Sequence, residues 1–242
     1  MVDGIIQNEI EHGEYIAEKG EEIWSWSSPA GRLRLERRGC MLRNFLGNDN
    51  KNVLEIGCGT GLFTSQLALT NNQIVAIDVS PALLGLAQKR TVFPNVVFKN
   101  EDAHGTFFED QSFDFIVGIS VLHHLDINLA LKEFFRLLKP GGRIMFTEPN
   151  MLNPQIAIQK NVLFIKKLAG DSPDETAFFR WSLKNKLSQN GFTEVVVENF
   201  DFLHPAIPKF MLNYVSPLCD KMERVPIIKE ISGSLIIKSV RP

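Results

Sequence analysis

The sequence predicts an α/β fold built on a doubly wound parallel sheet. Three observations carry that expectation. Short apolar runs alternate with helical patterns from about Asn52 to Glu148. The first run, "NVLEIG", opens into a loop with Gly57, Gly59 and Gly61 in alternation. Acidic residues then recur at the ends of the following runs, at Asp78 and Asp102. Continuous apolar strands separated by helices indicate a sheet buried on both faces.

The elements follow in order. The first 48 residues read as helical and precede the sheet. "NVLEIG" is a strand, and a helix is expected from about Leu62 to Leu69. "QIVAID" is the next strand. "SPALLGLAQKR" is a helix with Ser80 as its N-cap and Pro81 at its first position. "VVFKN", "FDFIVGIS" and "RIMFTEP" read as strands, and "INLALKEFFRLLK" as a periodic helix stopped by "PGG". "TEVVVENF" and "SGSLIIKSV" are two further strands, separated by a proline-rich apolar stretch from Asp201 to Ile231. The organisation expected is a helical lid over 1–48 and a main domain over 49–242, with insertions at about 151–170 and 201–231.

Composition narrows the function classes. With 26 Lys+Arg against 28 Asp+Glu in 242 residues, the net charge of −2 gives no overall attraction to nucleic acid. No apolar run approaches the roughly 20 residues that cross a bilayer. The N-terminus has no signal-peptide pattern, so a cytoplasmic location is expected. Cys40, Cys58 and Cys219 form no CxxC pair, which points away from a disulfide framework or a cysteine-held metal, and no metal is expected.

A strand ending in a glycine loop before a helix presents free backbone N–H groups at the sheet's ligand edge. The spacing here is G-x-G-x-G. Leu62 stands where the dinucleotide fingerprint would have its last glycine, and Glu55 precedes the loop by two residues. Asp78 lies 21 residues after Gly57 and can accept from both hydroxyls of a ribose. Asp102 can accept from an exocyclic amine.

Taken in order, "VLEIGCGTG", "AIDVS", "EDA", "FDFIVGISVLHHL" and "LLKPGGRIMFTEP" resemble the class I S-adenosylmethionine-dependent methyltransferases. The likeness is to their small-molecule branch, typified by ubiquinone/menaquinone C-methyltransferases. The resemblance implies a Rossmann-like seven-stranded sheet with its last strand antiparallel. It implies S-adenosyl-L-methionine as cofactor, held by the loop Gly57, Cys58, Gly59, Thr60 and Gly61. Glu55 would orient that loop and the amino group. Asp78 would hold the ribose, Val79 and Leu83 would flank the adenine, and Asp102 and Ala103 would meet its edge. Ser120 and Val121 would lie near the sulfonium.

Aligning an acceptor with the methyl supplies most of the catalysis, and a hydroxyl acceptor also needs a base. His123 and His124 stand just past the fourth strand and are the candidates. No N/D-P-P-aromatic tetrad follows that strand, and no cysteine is placed as a nucleophile. The expectation is therefore transfer to oxygen or carbon of a small-molecule acceptor, such as a glycan, lipid-linked or quinone-like compound. Substrate contacts are expected from the variable segments: Tyr15 and Trp24 in the lid, His204 and Tyr214 in the last insertion. Arg32, Arg34, Arg37 and Arg38 are available for an anion, and Lys160, Lys166 and Lys167 lie on an amphipathic stretch able to cover a pocket or touch a membrane surface. A monomer or homodimer fits equally. Two alternatives remain at this level: a non-catalytic binding module with the same fold, and a nicotinamide-dependent oxidoreductase.

Overall fold

The computed structural model describes residues 2–20, 25–168 and 175–242, so Trp24 lies outside the described residues. The strands are β1 (Asn52–Ile56), β2 (Gln73–Asp78), β3 (Val96–Asn100), β4 (Phe113–Ile119), β5 (Leu138–Pro149), β6 (Thr193–Phe200) and β7 (Ser234–Val240). Among the described residues they form one seven-stranded sheet in the order β3-β2-β1-β4-β5-β7-β6. β1 to β5 pair in parallel, whereas β7 runs antiparallel to both β5 and β6. The fold class expected from the sequence is the one found. The order reverses between β1 and β4, which opens a crevice at the carboxyl ends of those strands.

Side-chain alternation along each strand splits the core into two layers. Leu54, Ile116, Ile144 and Phe146 face α5 (Ile127–Leu137) and α8 (Arg180–Gln189), meeting Leu131, Phe134, Leu183 and Leu187. Val53, Phe115, Val117 and Met145 face the other way, onto Leu42 and Leu46 of α2 (Pro29–Leu46) and Leu67 of α3 (Thr64–Leu67). α5 is capped by Asp126, whose carboxylate accepts from Asn128 N and Leu129 N. α4 (Pro81–Arg90) is capped by Ser80 as its sequence predicts.

Several expectations need correction. The helix after the glycine loop spans only Thr64–Leu67. The "PGG" does more than stop α5: the strand begins at Leu138, and its register slips between Phe113 and Phe115. Gly141 supplies the left-handed turn at that kink, with φ +77°. α8 was not read, because Leu183 and Leu187 are its only buried residues and give a weak periodic signal. The amphipathic stretch forms two short helices, α6 (Pro154–Asn161) and α7 (Leu163–Leu168). Two of their lysines point inward, and the Lys167 side chain lies outside the described residues. Lys160 pairs with Glu175, and Lys166 Nζ donates to the Glu175 carbonyl at 2.7 Å. Neither is therefore offered to a lipid surface.

The chain's two ends are tied together. α1 (Val2–Lys19) crosses α4 closely: a Cβ on Gly13 would stand 2.4 Å from Ser80 Oγ. The insertion between β6 and β7 contains α9 (Leu212–Met222), and its Leu203, Leu212 and Cys219 pack on Ala30 of α2. Arg34 Nε and an Arg38 nitrogen reach the same Asp201 oxygen at 2.8 and 2.7 Å, and Arg37 grips Glu223 with both terminal nitrogens. Three of the four arginines noted in the sequence thus already hold carboxylates of this protein. No described helix is long and apolar enough to cross a membrane.

Candidate functional site

The reversal of strand order leaves a cavity of about 410 Å³ at the carboxyl edge of the sheet, covered by α1, the start of α2 and α6. Its lining brings together most of the residues singled out in the sequence. Gly57, Cys58, Gly59 and Thr60 form one wall; Asp78, Val79, Leu83 and Ala103 the next; Ser120, Val121, His123 and His124 the third.

Each glycine of the loop has its own reason. All three have positive φ, +63°, +53° and +80° for Gly57, Gly59 and Gly61. A Cβ on Gly57 would meet Val121 Cγ2 at 2.4 Å, so this glycine lets β4's extension close against the loop. A Cβ on Gly61 would meet the Ala87 backbone of α4 at 3.0 Å. Gly61 is therefore needed for a neighbouring helix, and it does not line the cavity. Asp78 joins loop and strand: its Oδ2 accepts from Gly59 N at 2.8 Å and its Oδ1 from Ser80 N at 2.9 Å. Burial pushes its carboxyl up from the ordinary range.

Glu55 stands behind the loop, buried, accepting from Thr64 Oγ1 at 2.6 Å. Burial, then the Asp78 charge, raise its carboxyl to about 8. Burial likewise pushes the Cys58 thiol up, so this sulfur is no nucleophile at neutral pH. Asp102 is not on the cavity wall. It holds His104 Nδ1 at 2.7 Å, and His104 Nε2 accepts from Asp126 N at the start of α5. Glu101 and Ala103 face the cavity instead. Successive residues beyond the end of β3 turn to opposite sides, so of the two residues expected there Ala103 lines the cavity and Asp102 turns to His104.

The third wall is set by Ser120, whose φ of +55° turns the chain out of β4. Glu148, at the end of β5 and fully buried, then accepts from Val121 N at 3.0 Å and Leu122 N at 2.8 Å through one oxygen. Its other oxygen lies 2.6 Å from His123 Nδ1. His124 Nδ1 faces Glu9 of α1 at 2.9 Å, and the two imidazole centroids are 4.2 Å apart. Glu175 sits among them, 3.8 Å from His124 Nδ1, 3.9 Å from His123 Nε2 and 4.0 Å from His12 Nε2, with Lys160 against it. Burial and the neighbouring His124 lower the His123 pKa. Burial opposes protonation of His124 too, but the facing Glu9 and Glu175 outweigh it and raise its pKa. Burial would lift Glu175, yet His124, His123 and Lys160 hold it well below the usual carboxylate range.

The sequence reading missed Glu9, His12, Glu148 and Glu175. Glu148 ends a strand on the same edge as Asp78, which is a usable signal. Glu9 and His12 are three apart on a helix, a weaker one. Glu175 lies in irregular chain and carries no local mark. Conversely, Tyr15, His204 and Tyr214 do not line the cavity. Tyr15 stacks beside His12, His204 pairs with Gln155 Nε2 at 2.8 Å, and Tyr214 is 81% exposed.

Comparison with known proteins agrees with this geometry. A family described as "Methyltransferase domain" matches residues 54–146. An uncharacterized methyltransferase-like protein of Schizosaccharomyces pombe is 26% identical over 200 residues, covering 79% of this chain and 76% of that protein. The demethylmenaquinone methyltransferase of Staphylococcus aureus is 30% identical over 169 residues, covering 61% and 70%. That of Chlorobaculum tepidum is 32% identical over 121 residues, and the chain spans about half of its length (48%). Among solved structures, the N-methyltransferase NodS of Bradyrhizobium japonicum, in complex with S-adenosyl-L-homocysteine, superposes with a TM-score of 0.66 at 20% identity, covering 97% of this chain and 99% of that one. Phosphoethanolamine N-methyltransferase 2 of Haemonchus contortus, in complex with S-adenosyl-L-methionine, gives 0.64 at 20% identity, covering 92% and 56%. At that identity the two structures speak for the fold alone. Together with the Staphylococcus aureus relative and the matched domain, they establish that this chain belongs to the class I S-adenosylmethionine-dependent methyltransferases.

Proposed function

We propose that the chain transfers the methyl group of S-adenosylmethionine to a hydroxyl oxygen of a small, polar acceptor. S-adenosylmethionine supplies a methyl on a cationic sulfur, so its leaving group is already activated. The residues present fit that cofactor. Asp78 uses one acceptor position of each oxygen on backbone N–H groups and keeps further lone pairs for ribose hydroxyls. Val79 and Leu83 offer apolar faces to an adenine, with Ala103 and Glu101 at its edge. Gly57 to Thr60 pass beneath the methionine part, and Glu55 steadies the loop from behind through Thr64. Asp78, Glu101, Glu9 and Glu175 give the cavity an acidic lining, which favours a cation.

The observation that carries oxygen as the acceptor is the polar cluster beside Ser120 and Val121. Glu9, His12, His123, His124 and Glu175 converge there. A hydroxyl must lose a proton to become a nucleophile, and this cluster is where the proton goes. Of the two histidines, His123 is committed through Nδ1 to Glu148, so it acts within the network and not alone. Two carboxylates and three imidazoles, with Glu148 behind them, suit a hydroxylated acceptor better than an apolar ring. Trp26 and Phe63, in edge-to-face contact at 5.4 Å, give the opposite wall an aromatic surface.

Calorimetry with S-adenosylhomocysteine tests the cofactor half. Micromolar binding by the wild-type chain, lost in Asp78→Ala with the fold intact by circular dichroism, is the expected result. Tight NADH binding with none of S-adenosylhomocysteine would overturn it.

A further inference from the structure

The polar cluster contains more ligating atoms than a proton relay needs, and their spacing is unusual. Glu9 and His12 come from one face of α1, His123 and His124 from the turn after β4, and Glu175 from the segment before α8. His123, His124 and Glu175 each place a ligand atom within 4.8 Å of the others. The separations of 3.8, 3.9 and 4.0 Å between Glu175 oxygens and three imidazole nitrogens are too long for hydrogen bonds. They are the spans expected between atoms that share one ion. With metal–ligand lengths of roughly 2.0–2.2 Å, two ligands lie about 3–4.3 Å apart.

Two further observations point the same way. His123 Nδ1 is held at 2.6 Å by the buried Glu148 carboxylate, which fixes that proton on Nδ1 and turns the Nε2 lone pair toward Glu175. A carboxylate behind a histidine is the usual outer support of a metal-bound imidazole. His124 Nδ1 is buried and pairs with Glu9 Oε2 at 2.9 Å, which brings a second carboxylate to the cluster. Charge agrees as well. Glu9, Glu148 and Glu175 against Lys160 leave two negative charges for a divalent ion to balance once the imidazoles are neutral, as metal ligation requires. Lys160 contacts Oε2 of Glu175, and Oε1 is the oxygen facing His124 and His12.

We propose that this cluster is a divalent transition-metal site, with His123 Nε2, His124 Nδ1 and Glu175 as ligands and Glu9 and His12 closing it from α1. Paired imidazoles with a carboxylate select zinc-like ions over magnesium or calcium. The role of the ion rests on the functional reading above: it would lower the pKa of an acceptor hydroxyl held beside it, and Glu9 would take the proton. The binding itself does not rest on that reading. An ion shared by α1, the β4 turn and Glu175 also fastens the helical cover over the cavity.

The test uses the untagged full chain, stripped with a chelator and titrated with Zn²⁺ by calorimetry, then with Co²⁺ followed by visible absorption. The expected result is one equivalent of Zn²⁺ per chain and a cobalt spectrum of nitrogen–oxygen ligation. Glu175→Gln and His124→Asn should each weaken Zn²⁺ at least tenfold while S-adenosylhomocysteine still binds. No Zn²⁺ binding by the wild-type chain, or equal binding by both variants, would overturn the site. Zn²⁺ binding as expected in a chain that ignores S-adenosylhomocysteine would support the site and count against the functional reading instead.

Discussion

The two walls of the cavity are built in different ways. The wall formed by Gly57 to Thr60 and Asp78 comes from adjacent parallel strands, and backbone pairing sets its geometry: Glu55 lies beside Ala76 and Ile56 beside Ile77 in register. The opposite wall is assembled from α1, the β4 turn, α6 and the segment before α8, and its charged groups meet through side-chain contacts. The first wall is fixed by the fold, and on the proposed reading it holds the cofactor. The second depends on charged side chains meeting across long sequence separations, and on the same reading it meets the acceptor.

This contrast can be broken or sharpened experimentally. The largest effect is expected where the cover is pinned. Asp201→Ala leaves the buried Arg38 and its neighbour Arg34 without a counter-charge. Chemical denaturation should show a loss of roughly 3–5 kcal/mol, as for other broken buried pairs. A loss under about 1 kcal/mol would mean that the arginines find solvent and the cover is not locked. Next comes Asp78→Ala, which should weaken S-adenosylhomocysteine about 100-fold, through lost charge-assisted hydrogen bonds and a loosened Gly59.

The third effect is a pH dependence. The Glu55 carboxyl rises from 4.5 to about 8 in the folded chain. Folding therefore takes up a proton between those values. The stabilisation is complete below the unfolded pKa and is lost as pH rises through the folded one. The slope is at most about 1.4 kcal/mol per pH unit. Glu55→Gln should remove it, so parallel pH profiles for variant and wild type would count against a protonated Glu55. The smallest effect is expected at Tyr214, 81% exposed and away from the cavity. Tyr214→Ala should change stability by less than about 0.5 kcal/mol and leave cofactor binding unchanged. A marked loss of acceptor turnover in this variant would return the last insertion to the active site.

The same contrast explains what could be read in advance. All seven strands, the glycine loop and Asp78 were legible, because strand period and turn chemistry are local and the loop is contiguous. Of the expected pair, Ala103 lines the cavity and Asp102 holds His104, a division that strand ends do not announce in sequence. α8 was missed because two leucines make a thin apolar stripe. Glu175 and Glu9 were invisible because only tertiary packing brings them to His124. Trp24 lies outside the described residues and stays an expectation.

The most direct test of the central claim is transfer of a ¹³C-labelled methyl group from S-adenosylmethionine to a library of hydroxylated small molecules, read by carbon NMR. The chemical shift of the product methyl separates oxygen, nitrogen and carbon acceptors without knowing the acceptor beforehand. The account predicts an oxygen-bound methyl whose formation is lost in Glu175→Gln while S-adenosylhomocysteine still binds. A methyl on carbon or nitrogen, or an oxygen-bound methyl formed equally well by that variant, would contradict it.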